Sequence, residues 1–332
     1  MQRERPFDAV LIIAFGGPEG PDQVRPFLEN VVRGKPVPPH RVEEVITHYQ
    51  MFGGVSPLPG ITRQQANLLR ERLHADSIDL PVYIGMRCWH PFVADAIREM
   101  AEAGVRRAIG FIATPHHSQA GCAYYKESVR EARANLRVHS LPDVDVTYVD
   151  SWFDHADFIL ATAANVREAI GRLDPRLRER ARVVFSAHSL PRAMAKACRY
   201  QEQLAASISG IMKHVGQYDS AIVYQSRSGR PQDPWLEPDV CDYLKAEREH
   251  ELEAVVLVPI SFVIDHIEVL YDLDVQAGQI CRRLNLPMTR AHTLNDDPLY
   301  IDMIADLVRR TWDRARSAIP LPIVAARHAD HV

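Results

Sequence analysis

The chain has 332 residues, 46% of them hydrophobic and a quarter charged, with a net charge of −4. That is the composition of a folded globular protein long enough for two domains, and it lacks the basic excess that a nucleic-acid footprint requires. No apolar run approaches the roughly 20 residues of a membrane span.

The first apolar run, 9–15, is seven residues long and leads into Gly-Gly-Pro, so it reads as a core strand rather than a signal peptide. A cytoplasmic protein is the expectation. Further short runs rich in Val and Ile predict strands over 82–86, 107–112, 144–149, 183–186, 221–225 and 255–259, with a weaker one at 288–290. Amphipathic stretches between them predict helices over 23–32, 62–74, 91–103, 124–136, 156–173, 200–215 and 266–284. Strands buried on both faces and alternating with helices imply parallel βαβ units, hence an α/β fold. The stretches 107–118 and 254–266 echo each other, each running a strand into Pro and then His. This suggests a pair of similar domains, 1–174 and 175–332, divided in the charged segment 174–182. The C-terminal helix has the option of packing back on the first domain.

Parallel sheets place ligands beyond the carboxyl ends of their strands. FGGPEG (15–20), GMRCW (85–89), TPHHSQAG (114–121), SAHSLP (186–191), YQSRSGRPQDPW (224–235) and PISFVIDH (259–266) all fall there. FGGPEG is either an anion cradle or a tight turn into the next helix. Arg33 and Lys35 either bind carboxylates or phosphates, or complement a helix C-terminus. Arg227 is flanked by serines, and Trp89 and Trp235 line either a flat aromatic ligand or the core. His188, at a strand end, suits metal ligation or proton transfer near neutral pH.

Stretch 254–276 delivers a helix from near Asp265 that carries His266, Glu268, Asp272 and Asp274, all metal-compatible. On a helix Glu268 and Asp272 share a face that Gln276 continues, while His266 points elsewhere. One His and one Glu at two strand ends suggest two halves facing each other across a shared site. The absence of HExxH argues against a zinc hydrolase. Five scattered cysteines without CxxC read as reduced thiols.

FSAHSLP (185–191), PISFVIDHIEVLYDLD (259–274), YQSRSGRPQDPWLEPDV (224–240), FGGVSPLPGIT (52–62) and AFGGPEG (14–20) together resemble the signatures of the ferrochelatases, enzymes that insert ferrous iron into a porphyrin. The likeness covers nearly the whole chain and is nearest the actinobacterial type that acts on coproporphyrin III. It implies two Rossmann-like, chelatase-type domains, with parallel sheets flanked by helices, around a porphyrin cleft. It assigns catalysis and metal contact to His188 and Glu268, one across the macrocycle from the other, with Asp272 next outward. Phe15 stands where some relatives place a tyrosine, and a phenyl ring cannot ligate. Gln276 stands at the third position of an acidic row. Arg33, Lys35, Ser56 and Tyr124 are candidates for the propionates, and Arg227 and Trp235 for the rest of the substrate. Porphyrin and Fe²⁺ are the implied partners and Fe²⁺ is substrate. No tightly bound cofactor is expected and, with no cysteine after Cys281, no iron–sulfur cluster. Neighbouring haem-pathway enzymes, peripheral membrane contact at most, and a monomer complete the expectation. Protoporphyrin IX as substrate, a non-catalytic porphyrin or haem carrier, and a cobalt or sirohydrochlorin chelatase are the alternatives.

Overall fold

The computed structural model describes residues 5–34, 37–227 and 233–317, with the backbone alone at 119 and 120. β1 (Ala9–Ala14), β2 (Val82–Met86), β3 (Arg107–Ile112) and β4 (Asp145–Tyr148) form one parallel sheet in the order β2-β1-β3-β4. β5 (Ala181–His188), β6 (Ser220–Gln225), β7 (Ala254–Pro259) and β8 (Met288–Arg290) form a second in the order β6-β5-β7-β8. The two orders are the same, and the echoing segments lie on the equivalent strands β3 and β7. β1, AVLIIA, and β7, AVVLVP, are buried at every position. At about 1.5–3 kcal/mol per buried Val, Leu or Ile, such strands anchor the fold.

β5 runs two residues beyond the expected 183–186 and takes His188 as its last residue. Helices at Pro39–Gln50 and Val240–Glu249 were absent from the expected ranges, and the C-terminal helix spans Pro298–Ser317. The helix Ala156–Gly171 packs on β7, β8 and the helix Tyr200–Val215. The helix Pro298–Ser317 packs back on Leu58–Ala75, Ala156–Gly171 and β3. One apolar cluster therefore spans both sheets, joining Val10, Ile12 and Phe111 to Val183, Phe185 and Val256. Among the described residues no helix is long and apolar enough to cross a membrane.

His116, from the loop after β3, is 1% exposed and lies 3.0 Å from Ser207 Oγ on the helix Tyr200–Val215. Burial pushes its pKa from 6.5 down to about 3. The folded state thus holds a neutral imidazole, while the unfolded chain takes a proton below 6.5. The stabilisation is complete above that value and is lost as pH falls towards 3. Denaturant midpoints for the wild type and His116→Gln should therefore converge over that acid range, and parallel pH dependences would contradict the assignment.

Candidate active site

The site is built at the carboxyl end of the second sheet. Its first element is His188, whose Nδ1 lies 2.6 Å from the Ser189 carbonyl oxygen. A carbonyl oxygen only accepts, so Nδ1 carries the proton and the neutral ring keeps its lone pair on Nε2. Nε2 points at Glu268 Oε2, 3.7 Å away. Glu268 Oε2 is buried and has no hydrogen-bond partner among the described residues. Two lone-pair atoms at this spacing are too far apart for a hydrogen bond. They are within reach of a single cation, since imidazole nitrogen and carboxylate oxygen bind first-row metals such as zinc at about 2.0–2.2 Å.

Both residues come from one half of the molecule. β5 and β7 are neighbours, with Ser186 opposite Pro259, and β7 turns away immediately afterwards to deliver Glu268. The expectation that two halves each contribute one member is corrected here. So is the arrangement across a macrocycle. Ring carbons need about 3.5–4.0 Å on each face, and a 3.7 Å gap admits no ring between the two side chains.

The helix that begins at Ile267 is π-helical over Leu270–Ala277 rather than α-helical. Its wider turn brings positions four apart closer to vertical alignment. Asp272 therefore follows Glu268, and exposed Gln276 follows Asp272. Asp272 Oδ2 accepts from Ser226 Oγ and, at 3.3 Å, from Gln225 Nε2. The same amide donates to the Glu268 carbonyl at 3.2 Å. Burial first, and the Glu268 charge in addition, push the Asp272 pKa up to about 6, against the pull of these donors. Asp274 is committed elsewhere, to Arg290. His266 is buried beside Phe262, with ring centroids 4.6 Å apart, and burial lowers its pKa. Among the described residues no group of three or more His, Cys, Asp or Glu is arranged to hold a metal ion. A His–Glu pair leaves coordination positions open, which suits transfer of an ion rather than storage.

The first half supplies aromatic surface. Phe15, just after β1, meets Phe27 edge-on at 6.1 Å. Its cluster includes Phe27, Tyr49, Cys88 and Trp89, and takes in Ile267 and Tyr271 from the second half. His48 stacks on Tyr271 at 3.5 Å. Burial, and then the nearby Glu268 charge, raise the Tyr49 pKa. Val42, Ile46 and Tyr49 carried the helical spacing that should have revealed this helix. Arg87 was also missed, and it lies 5.0 Å over the Tyr124 ring.

The remaining candidates are dispersed. Ser56 is buried against Gly17, where any Cβ would meet its side chain at 2.6–2.7 Å. Gly16 is at φ +94° and is packed against the Trp89 backbone. FGGPEG is thus a packed turn, and neither glycine tolerates a side chain. Arg33 is exposed and bonds Asn30, and Lys35 lies outside the described residues. Arg227 is exposed and donates to the Asp233 carbonyl at 3.0 Å. Trp235 is 7% exposed, and its backbone pairs with Pro191 just beyond the His188 strand.

The ferrochelatase family model matches residues 7–312. The chain belongs to the ferrochelatase family. It is thus an enzyme of haem biosynthesis that inserts iron into a porphyrin. Similar ferrochelatases include that of Rhodopirellula baltica, 43% identical over 92% of this chain and 86% of the relative. The coproporphyrin III ferrochelatase of Mycobacterium marinum is 41% identical over 96% and 92%. Among solved structures, SirB from Bacillus subtilis with Fe³⁺ superposes with a TM-score of 0.58 at 10% identity, covering 94% of this ferrochelatase and 98% of that chain. That likeness concerns the fold, two chelatase-type Rossmann-like units. His188 and Glu268 fall in two of the five segments that carried the family resemblance.

Proposed function

We propose that the protein inserts Fe²⁺ into coproporphyrin III, with His188 and Glu268 as the residues that receive the ion and the pyrrole protons. The observation that carries the site assignment is the 3.7 Å pair of lone-pair atoms, Nε2 and Oε2. Insertion replaces two pyrrole N–H protons by one Fe²⁺, so the site must both hold a cation and accept protons. His188 Nε2 suits the first proton, since Nδ1 is already protonated and an imidazolium formed there keeps its bond to Ser189. Glu268 suits ion delivery, and its charge stabilises that imidazolium. Asp272, with its pKa raised to about 6, suits onward proton passage near neutrality. Half-buried Phe15 and Trp89, packed on the buried rings of Phe27 and Tyr49, offer a surface for the macrocycle.

Fe²⁺ is substrate in this reading, with no tightly bound cofactor and no iron–sulfur cluster. The scattered cysteines support it. The choice of coproporphyrin III is supported by the names of the actinobacterial relatives. Four propionates require cations, for which Arg33, Lys35 and Arg87 with Tyr124 are candidates. A cytoplasmic enzyme passing its product to a decarboxylating step follows from the same reading. Anaerobic Fe²⁺ insertion followed by absorbance, with coproporphyrin III and protoporphyrin IX in parallel, tests it. A higher kcat/KM for coproporphyrin III is expected. Preference for protoporphyrin IX would make this the terminal enzyme, and binding without insertion would make it a carrier.

A further inference from the structure

We infer that Tyr200 and Ser261 are positioning residues, which fix the backbone of His188 through one hydrogen bond to its N–H and one to its carbonyl. The inference rests on the reading of His188 as the site histidine. The β5–β7 ladder ends at Ser186 opposite Pro259, with a last bond from Ile260 N–H to the Ser186 carbonyl at 2.9 Å. Beyond that point β7 departs, and the polar backbone of His188 needs other partners. Its N–H donates to Ser261 Oγ at 2.9 Å. Its carbonyl accepts from the Tyr200 hydroxyl at 3.0 Å.

Proton counting sets the direction of each bond. The carbonyl cannot donate, so the single phenol proton of Tyr200 goes to it. Burial keeps the Tyr200 phenol protonated, with its pKa raised.

The two bonds join three elements that must agree if Nε2 and Oε2 are to stay 3.7 Å apart. β5 carries His188 itself. Ser261 lies on the segment that leads from β7 to Glu268. Tyr200 opens a helix tied to the first half, through His116 on Ser207 and the His117 N–H on Gln203 Oε1 at 2.6 Å. Loss of either hydroxyl frees the His188 peptide groups to rotate, and about 1 Å of misplacement can cost about 100-fold in rate.

The test is anaerobic Fe²⁺ insertion by Tyr200→Phe, Ser261→Ala, their double variant, Ser261→Thr and His188→Ala, with porphyrin affinity read by fluorescence quenching. Each single hydroxyl loss is expected to lower kcat about 10- to 100-fold while porphyrin Kd stays within about twofold. The double variant should lose less than the product of the two singles, because both bonds act through the same His188 backbone. Ser261→Thr keeps a hydroxyl and should recover most of the rate, which also guards against a Tyr200→Phe variant that folds poorly. Unchanged kcat in the singles, a loss confined to KM, or losses that multiply in the double would overturn the positioning role. Full turnover by His188→Ala would instead overturn the site assignment beneath it.

Discussion

Replacing His188 by alanine is expected to lower kcat for iron insertion by about 10²–10⁴-fold, the range for loss of a positioned proton acceptor. Porphyrin affinity should change little if, as proposed, the macrocycle rests mainly on the first half, around half-buried Phe15 and Trp89. The rate loss follows from the tautomer. With Nδ1 held by the Ser189 carbonyl, Nε2 is the one ring atom able to accept a proton or meet the ion. Glu268→Gln should lose a comparable factor with the shape preserved, since the amide keeps an oxygen but neither the charge nor the basicity. The double variant should be scarcely slower than either single, as two residues that act on one ion are not additive. Stopped-flow absorbance for turnover and fluorescence quenching for binding separate the two effects. Loss of porphyrin binding in His188→Ala would make the residue structural.

Replacing Arg290 by alanine is expected to cost about 3–5 kcal/mol of stability, a large share of the roughly 5–15 kcal/mol typical of a folded chain. Arg290 is 10% exposed and sits between two carboxylates. It reaches Asp274 through Nε at 2.6 Å and Nη2 at 3.0 Å, and Asp265 through Nη1 at 3.2 Å. Asn295 completes the network, donating to Asp265 Oδ2 at 3.2 Å and accepting from the Asp265 N–H at 2.9 Å. Alanine would leave two facing carboxylates with no cation between them. Arg290→Lys should fall between, because an ammonium supplies charge without the planar fork. The network brackets the segment that delivers Glu268, so the alanine variant should also lose activity below its unfolding transition. Urea denaturation followed by circular dichroism gives the stability change, and a loss below about 1 kcal/mol would place this ion triad among the weak ones.

The strands were legible because their code is local. Runs such as AVLIIA and AVVLVP have no polar face, and only a sheet covered on both sides accommodates them. His188 was legible for the same reason, as the first polar group after such a run. The π-helical turn over Leu270–Ala277 was not, because the choice between i→i+4 and i→i+5 bonding is made by packing rather than by composition. The echo of 107–118 in 254–266 was legible in the same local way. It marks equivalent strands of two similar sheets, whereas the His–Glu pair arises inside one sheet from the adjacent strands β5 and β7. Ser56 and Trp235 looked like ligand contacts because nothing in their neighbourhoods reveals depth, and the structure buries both. Asp274 read as a metal-compatible carboxylate, but its partner Arg290 lies sixteen residues away on an edge strand, beyond the reach of a helical pattern.

The most direct test of the account is where the ion binds. Crystals of the wild-type protein soaked anaerobically with Co²⁺ as a substrate mimic, and measured at the cobalt edge, should show one anomalous peak bonded to both His188 Nε2 and Glu268 Oε2, and His188→Ala crystals should lose it. A peak held by Asp272 or Gln276 with none at His188, or one that survives in His188→Ala, would contradict the central claim.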